Sequence, residues 1–467
     1  MARLLVPRQV SKHNDVHCRR PLRRLQMQFL IRAAASVLGV AAALYVLYRR
    51  RRVRLLEAAA EQRQPQQVVF ADGVERSVED ERRYRHITLP SSGISILLCS
   101  DARAEQRAAA AMCVEGAGAR TAPKELVGLA HYLEHMLFLG SKKYPSESHY
   151  KKVVALHNGR CNASTAPEKT VYHFEVDAAG LEDVLDIFAQ FFVGEPLLDE
   201  GAAERELNAV TAEDARNRIN DDRRKRMVVQ HTVPDKRVGT HTWAKFGTGN
   251  KDTLGPAAAA AAGVAVRPAL LAYRERFYRL DHMGLALVSA ASLDELEALA
   301  RKIFGPAYSP DGGAILPTVM DTGGGVLAGG AAAAPEPEEA RAARAAANLV
   351  NEAADLAASA EAGVAHPWAD AGLWPFELRI APITERRCVS LMWPMPPSAS
   401  QHRHPCSPAA RYLSYVLGHE GEGSLFAALQ RLGLATHVSA GSYIDDADVY
   451  MLLVKVSLTT EGEAQLR

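Results

Sequence analysis

Two periods of apolar positions run along this chain. The segment "HITLPSSGISILLCSD" sets apolar runs on either side of Ser91, Ser92 and Gly93, which predicts two paired strands joined by a turn. Ala108–Val114 reads as a further strand of small residues, and "TVYHFEV" alternates as a half-buried strand does. The period then lengthens. Gly128–Phe138 is helical, stopped by the glycine and lysines that follow. Leu181–Phe192 carries Phe188, Phe191 and Phe192 on or near one helical face, and Gly201–Asn217 is a second helix, acidic in its first turns. Leu285–Ser289 predicts a strand, and Ser292 caps a helix running to Phe304. Further on, "RCVSLMWPMPP" resumes strand character, "ARYLSYVLGHEGEGSLFAALQRLG" reads as two helices broken by glycines, and "VYMLLVKVSL" is another strand. A β-rich start, long helices and returning strands predict an α+β architecture, with sheet packed against helices.

Three stretches depart from this pattern. Pro256–Ala262 is alanine-rich, a loop or a frayed helix. Residues 321–365 are dominated by Ala, Gly, Glu and Pro, which predicts a mobile insertion bearing one solvent-facing helix. Leu25–Tyr48 is the most apolar run, flanked by Arg19, Arg20, Arg23 and Arg24 before it and Arg49–Arg52 after it. If Arg32 snorkels, the run is about twenty residues, enough for one membrane span. The alternative is a mitochondrial or other organelle transit segment, Arg-rich and acid-poor. A cleaved secretory signal fits less well, because the run starts late and no cleavage site follows it. The expected division is a targeting or anchoring segment at 1–66, a compact domain at 67–305 and a second domain at 306–467.

The composition, 48% hydrophobic and 23% charged over 467 residues, fits a globular protein of two to four domains. The net charge of +1 hides an asymmetry: residues 1–56 hold thirteen Lys/Arg against Asp15, a net +12, leaving −11 for the remainder. An acidic body gives no electrostatic case for nucleic-acid binding. The six cysteines, at 18, 99, 113, 161, 388 and 406, form no C-x-x-C pair. That disfavours a disulfide framework or a thiolate metal site and points to a reducing compartment.

The candidate chemistry lies in "GLAHYLEHMLFLG". His131 and His135 are four apart, one helical turn, so both imidazoles can reach one ion. Glu134 shares that face and can take a proton from a water polarised by zinc. The order His-x-x-Glu-His inverts the usual zinc-protease helix motif. The competing reading is a core helix whose histidines are satisfied by hydrogen bonds. A catalytic zinc also needs a third protein ligand and an open position. "ERELNAVTAEDARN" offers Glu206 and Glu213, seven apart on one helix face, with Glu213 78 residues after His135. Glu206 is a candidate acceptor for an imidazole N–H. Alternatively, both are ordinary carboxylates on an acidic helix.

"LAHYLEHMLFLGSKKYPSESHY", "FAQFF", "RELNAVTAED" and "KFGTGNKDTL" follow in order and closely resemble the pitrilysin/insulysin family of inverted-motif zinc peptidases, on its insulysin side. The resemblance runs from about Val68 to the last residue. It implies one Zn2+ per chain held by His131, His135 and Glu213, with Glu134 as general base and Glu206 supporting a ligand histidine. It implies peptide substrates that add a strand along "NGRCNASTAPEKTVYHFEV", with Asn162 and Ala163 against the bound backbone. Val438–Gly441 resembles the strand that holds a substrate N-terminus, which brings in Ala440 and Gly441. His419 and Glu420 are not expected to bind metal. The resemblance also implies two homologous α+β domains, the second incomplete and carrying the foreign insertion at about 321–365. Family members of this type have four such domains in two halves. The chain therefore corresponds to the N-terminal half, and a partner half-subunit or a homo-oligomer would complete the substrate chamber.

Overall fold

The computed structural model describes residues 69–71, 74–76, 79–232, 245–305, 337–361, 376–395, 409–446 and 449–466. The apolar run at 25–48, and the part of the 321–365 stretch before residue 337, lie outside them. Among the described residues no single helix is long and apolar enough to cross a membrane.

A short ladder pairs β1 (Val69–Ala71) with β2 (Val74–Arg76). Strands β3 (Arg83–Thr88) and β4 (Ser95–Ser100) then pair antiparallel, with Ser92 and Gly93 donating their N–H groups to Leu89 O in the turn between them. With β5 (Arg107–Glu115), β6 (Arg160–Thr165), β7 (Lys169–Asp177) and β8 (Met283–Ser289), they form a six-stranded sheet in the order β3-β4-β8-β5-β7-β6. Every pairing is antiparallel except β4 with β8, where Ser95 lies opposite Gly284. No hairpin joins those two strands, so a parallel register is free to form. Strand β6 pairs with β7 alone and forms an edge.

Period-two burial explains which sheet face is covered. Met112 and Val114 on β5, Tyr172, Phe174 and Val176 on β7, and Leu285 and Leu287 on β8 are all buried. The described helices up to residue 361 are, in chain order, α1 (Leu129–Leu137), α2 (His149–Leu156), α3 (Leu181–Ala189), α4 (Glu200–Arg218), α5 (Asp221–His231), α6 (Lys251–Leu254), α7 (Pro256–Ala262), α8 (Val266–Phe277), α9 (Leu293–Phe304) and α10 (Glu338–Glu361). Helices α3 and α9 pack on the sheet. Phe188, Phe191 and Phe192 meet Phe138, Tyr150, Tyr172 and Phe174 in a cluster with ring centroids 5.0–6.4 Å apart. Ser292 and Glu295 form a reciprocal cap at the start of α9, each side chain accepting the other's backbone N–H. Buried Arg274 donates to Phe191 O, Phe192 O and Gly194 O and so ties α8 to the turn after α3.

The structure differs from the sequence expectation in one helix. Helix α10, expected to face solvent, buries Ala346, Val350 and Ala354 and packs along α8. Alanine leaves a helix flank thin enough for close approach, so an alanine-rich segment can dock as well as lie in solvent.

The chain divides into two compact units. The first comprises 68–217 and 238–362, with the six-stranded sheet and α10. The second combines 218–237, which holds α5, with 363–467. Its elements are β9 (Cys388–Met395), α11 (Ala409–Gly418), α12 (Leu425–Arg431), β10 (Ala435–Asp445), β11 (Tyr450–Leu458) and α13 (Thr460–Leu466). The sheet order is β10-β11-β9, all antiparallel, over a core of Val438, Val454 and Val456. Asp221, at the start of α5, accepts from Ile383 N, Thr384 N and Thr384 Oγ1 and binds that helix into the unit. Both units are α+β, with largely antiparallel sheets flanked by helices.

Candidate metal centre

Helix α1 turns its core face inward through Leu129, Leu133, Met136 and Leu137, all essentially buried. His131 and His135 lie on the opposite flank, and Glu134 sits between core and flank at 6% exposure. Helix α4 runs alongside, held where Tyr132 donates its hydroxyl to Ala203 O at 2.6 Å. Glu206 and Glu213 lie on the side of α4 that meets the two histidines.

Glu213 Oε2 lies 3.5 Å from His131 Nε2 and 3.6 Å from His135 Nε2. Among the described residues, His131, His135 and Glu213 form a group whose ligand atoms all lie within 4.8 Å of one another. Two donors on one tetrahedral zinc stand about 3.4 Å apart, given zinc–ligand bonds of roughly 2.0–2.1 Å. The spacing and the donor set, two imidazoles and a carboxylate, therefore fit a zinc ion with one position left open. The outer nitrogens are also placed for this. His131 Nδ1 meets Thr248 O at 2.8 Å, and His135 Nδ1 meets Glu206 Oε1 at 2.6 Å. Each acceptor favours the tautomer with the proton on Nδ1, which turns the Nε2 lone pair toward Glu213.

The charges are strongly linked. Burial alone would lower the His135 pKa, but Glu206 and Glu213 push it up to about 9. The hydrogen bond from His135 holds Glu213 down to about 2, against its burial, and also lowers Glu206. Glu134 is raised by burial, opposed by His131 and by the Thr165 hydroxyl. Thr165 donates to Glu134 Oε2 at 2.6 Å. It contacts Thr170 Oγ1 at 3.2 Å, and Thr170 donates to Ala117 O. Thr165 is the last residue of edge strand β6, so the carboxylate of Glu134 is held from that strand.

Asn162 and Ala163 lie on β6, opposite His173 and Tyr172; Asn162 is exposed, and Ala163 packs against the core. Ala440 and Gly441 lie on β10, an edge strand of the second unit, opposite Val454 and Leu453. In that unit His419 Nδ1 accepts from Gly421 N, and Glu420 pairs with His437 at the surface. Sequence reasoning passed over Thr165, Thr248, Asn250 and Asp214. All four lie inside the family-like stretches: Thr165 in "NGRCNASTAPEKTVYHFEV", Asp214 in "RELNAVTAED", and Thr248 and Asn250 in "KFGTGNKDTL".

Fold and site together define an α+β domain with a His-x-x-Glu-His helix and a His-His-Glu cluster, followed by a second α+β domain. The family described as insulinase (peptidase family M16) matches residues 97–244, and the peptidase M16 inactive domain matches residues 265–466. This chain belongs to the insulinase, or M16, peptidase family. It is 33% identical over 388 residues to "Insulin-degrading enzyme-like 1, peroxisomal" of Arabidopsis thaliana, covering 83% of this chain and 34% of that protein. It is 32% identical over 389 residues to the insulin-degrading enzyme of Homo sapiens, covering 83% and 32%. The crystal structure of pitrilysin superposes with a TM-score of 0.61 at 27% identity, covering 87% of this chain and 36% of that one. The chain thus spans about a third of the length of the curated relatives it matches.

Proposed function

We propose that the first unit is a zinc-dependent endopeptidase centre acting on extended peptides. His131, His135 and Glu213 hold one zinc, and Glu206 and Thr248 O fix the histidine tautomers. When bound, the ion supplies Lewis acidity: it acidifies water and offsets the charge that develops on the scissile carbonyl oxygen. Glu134 takes the proton of the attacking water and hands it to the departing amine. Burial suits it to this double task, because a carboxylate whose pKa is raised is a stronger base towards the attacking water than an exposed one. Thr165 keeps one carboxylate oxygen fixed while the other faces the substrate. Edge strand β6 offers unpaired backbone groups beside that carboxylate, so a peptide joins as a further strand along Asn162 and Ala163. Strand pairing favours unfolded segments over folded ones. Ala440 and Gly441 are proposed to hold the peptide N-terminus, and further domains, a half-subunit or a second copy of the chain to complete the chamber.

The observation that carries this reading is the convergence of three ligand atoms with a buried carboxylate one residue from a ligand. The test is a fluorogenic peptide assay on zinc-loaded protein. Glu134→Gln should lower the rate by about two to four orders of magnitude while leaving the zinc content intact. Cleavage at the wild-type rate by that variant would overturn the role of Glu134. A folded wild-type chain that binds zinc and peptide without turnover would make it a binding half-subunit instead.

A further inference from the structure

Residues 245–250 touch both ligand-bearing helices. Thr248 O accepts from His131 Nδ1 at 2.8 Å, and Asn217, at the end of α4, donates from Nδ2 to Thr248 Oγ1 at 3.4 Å. Asn250 is 5% exposed and donates from Nδ2 at 2.9 Å to Asp214, equally buried and adjacent to Glu213. The Asn250 side-chain oxygen is already engaged, accepting from Asp252 N and Thr253 N at the start of α6. At the other end, Lys245 Nζ donates to Arg120 O and Ala122 O at 2.6 and 2.7 Å. Between these anchors the segment lies against the start of α1. Gly249 has φ +78° and Gly128 φ +95°, and a Cβ on Gly128 would fall 2.3 Å from Gly249 Cα. Backbone meets backbone there, so the segment cannot shift without moving α1.

We propose that Lys245–Asn250 is a strap that sets the distance between α1 and α4, and hence between His131 and Glu213, with Asn250 and Lys245 as its positioning residues. The proposal rests on the zinc reading of the site. Asn250 joins the strap to α4 beside the carboxylate ligand, Thr248 joins it to the first histidine, and Lys245 stops it sliding. The strap thus acts on the metal through geometry, contributing no ligand.

Zinc affinity by chelator competition, together with the visible spectrum of the cobalt-substituted 467-residue chain, tests this without reference to activity. Asn250→Ser keeps a capping oxygen and removes the amide that reaches Asp214. It should weaken zinc binding about 10- to 100-fold and shift the cobalt d–d bands. The swap Asp214→Asn with Asn250→Asp re-forms the bond with reversed polarity and should recover most of the affinity. Lys245→Met frees the far end, independently of the α6 cap, and should weaken zinc binding by at least about threefold. Thermal unfolding of the metal-free variants shows whether each is folded. Folded Asn250→Ser and Lys245→Met proteins with wild-type affinity and an unchanged cobalt spectrum would overturn the strap. A folded wild-type chain that binds no zinc would overturn the site reading, and the strap with it.

Discussion

His135 lies between two carboxylates, Glu206 at 2.6 Å from Nδ1 and Glu213 at 3.6 Å from Nε2. Without metal these carboxylates stabilise its proton, and the folded-state pKa rises to about 9. The unfolded value is near 6.5. The resulting stabilisation is complete below about pH 6.5 and is lost as pH rises through about 9. Across that window the native state holds one proton more than the unfolded state, a slope of about −1.4 kcal/mol per pH unit. Zinc takes the place of that proton, so the zinc-loaded chain should lack this slope, and zinc affinity should rise with pH through the same range. Chemical denaturation of metal-free wild type and His135→Gln at pH 6.5 and 8.5 checks this. The difference between the two proteins should shrink at the higher pH, and a constant difference would refute the linkage. The candidate histidines were legible in sequence because their geometry is local: a spacing of four residues fixes a shared helix face, whereas Glu213, on another helix, entered the candidate ligand set through the family resemblance. Of the supporting groups, Glu206 was legible from its helix, but Thr248 and Thr165 were not. Thr248 acts through a carbonyl that any residue provides, and Thr165 reaches Glu134 only because β6 returns beside α1.

Elements were legible where burial is periodic. Strands β5, β7 and β8 alternate cleanly, and the Ser292 cap with Glu295 three residues on marks the start of α9. The parallel pairing of β4 with β8 was not legible, because it depends on non-local packing that no run of residues records. Helix α10 is the instructive miss. Its alanines are equally at home in water and in a tight interface, so composition alone assigned it to solvent. The structure buries Val350 to 1% exposure while leaving Glu352 exposed. Val350→Ala should therefore cost about 1.5–2.5 kcal/mol in denaturant unfolding, from lost apolar burial and the residual cavity. Glu352→Ala, on the open side, should change stability by less than about 0.5 kcal/mol. Equal, negligible effects from both would return α10 to solvent.

At the scale of the molecule, chain order and spatial grouping part company. The composition shift after residue 305 suggests a boundary there, yet contacts place α5 with residues 363–467 and α10 with the six-stranded sheet. A boundary read from composition registers where the chain changes character, whereas a folding unit is set by which apolar faces meet. This grouping has a consequence for metal linkage. The ligand atoms, the strap and β6 all belong to the first unit. A ligand that binds only the native state stabilises what it binds, by about 2.7 kcal/mol at a hundredfold excess over Kd. Zinc should therefore slow amide hydrogen exchange in α1, α4 and residues 245–250, whose openings must break ligand geometry. The amides of β9, β10 and β11, held by the separate core around Val438 and Val454, should exchange at the same rate with and without zinc. Exchange measured by mass spectrometry on zinc-loaded and chelator-treated chain distinguishes the cases. Protection confined to the second unit would place the metal elsewhere. Equal protection in both would mean that the two units open as one, and that the contacts dividing them do not set the cooperativity of the chain.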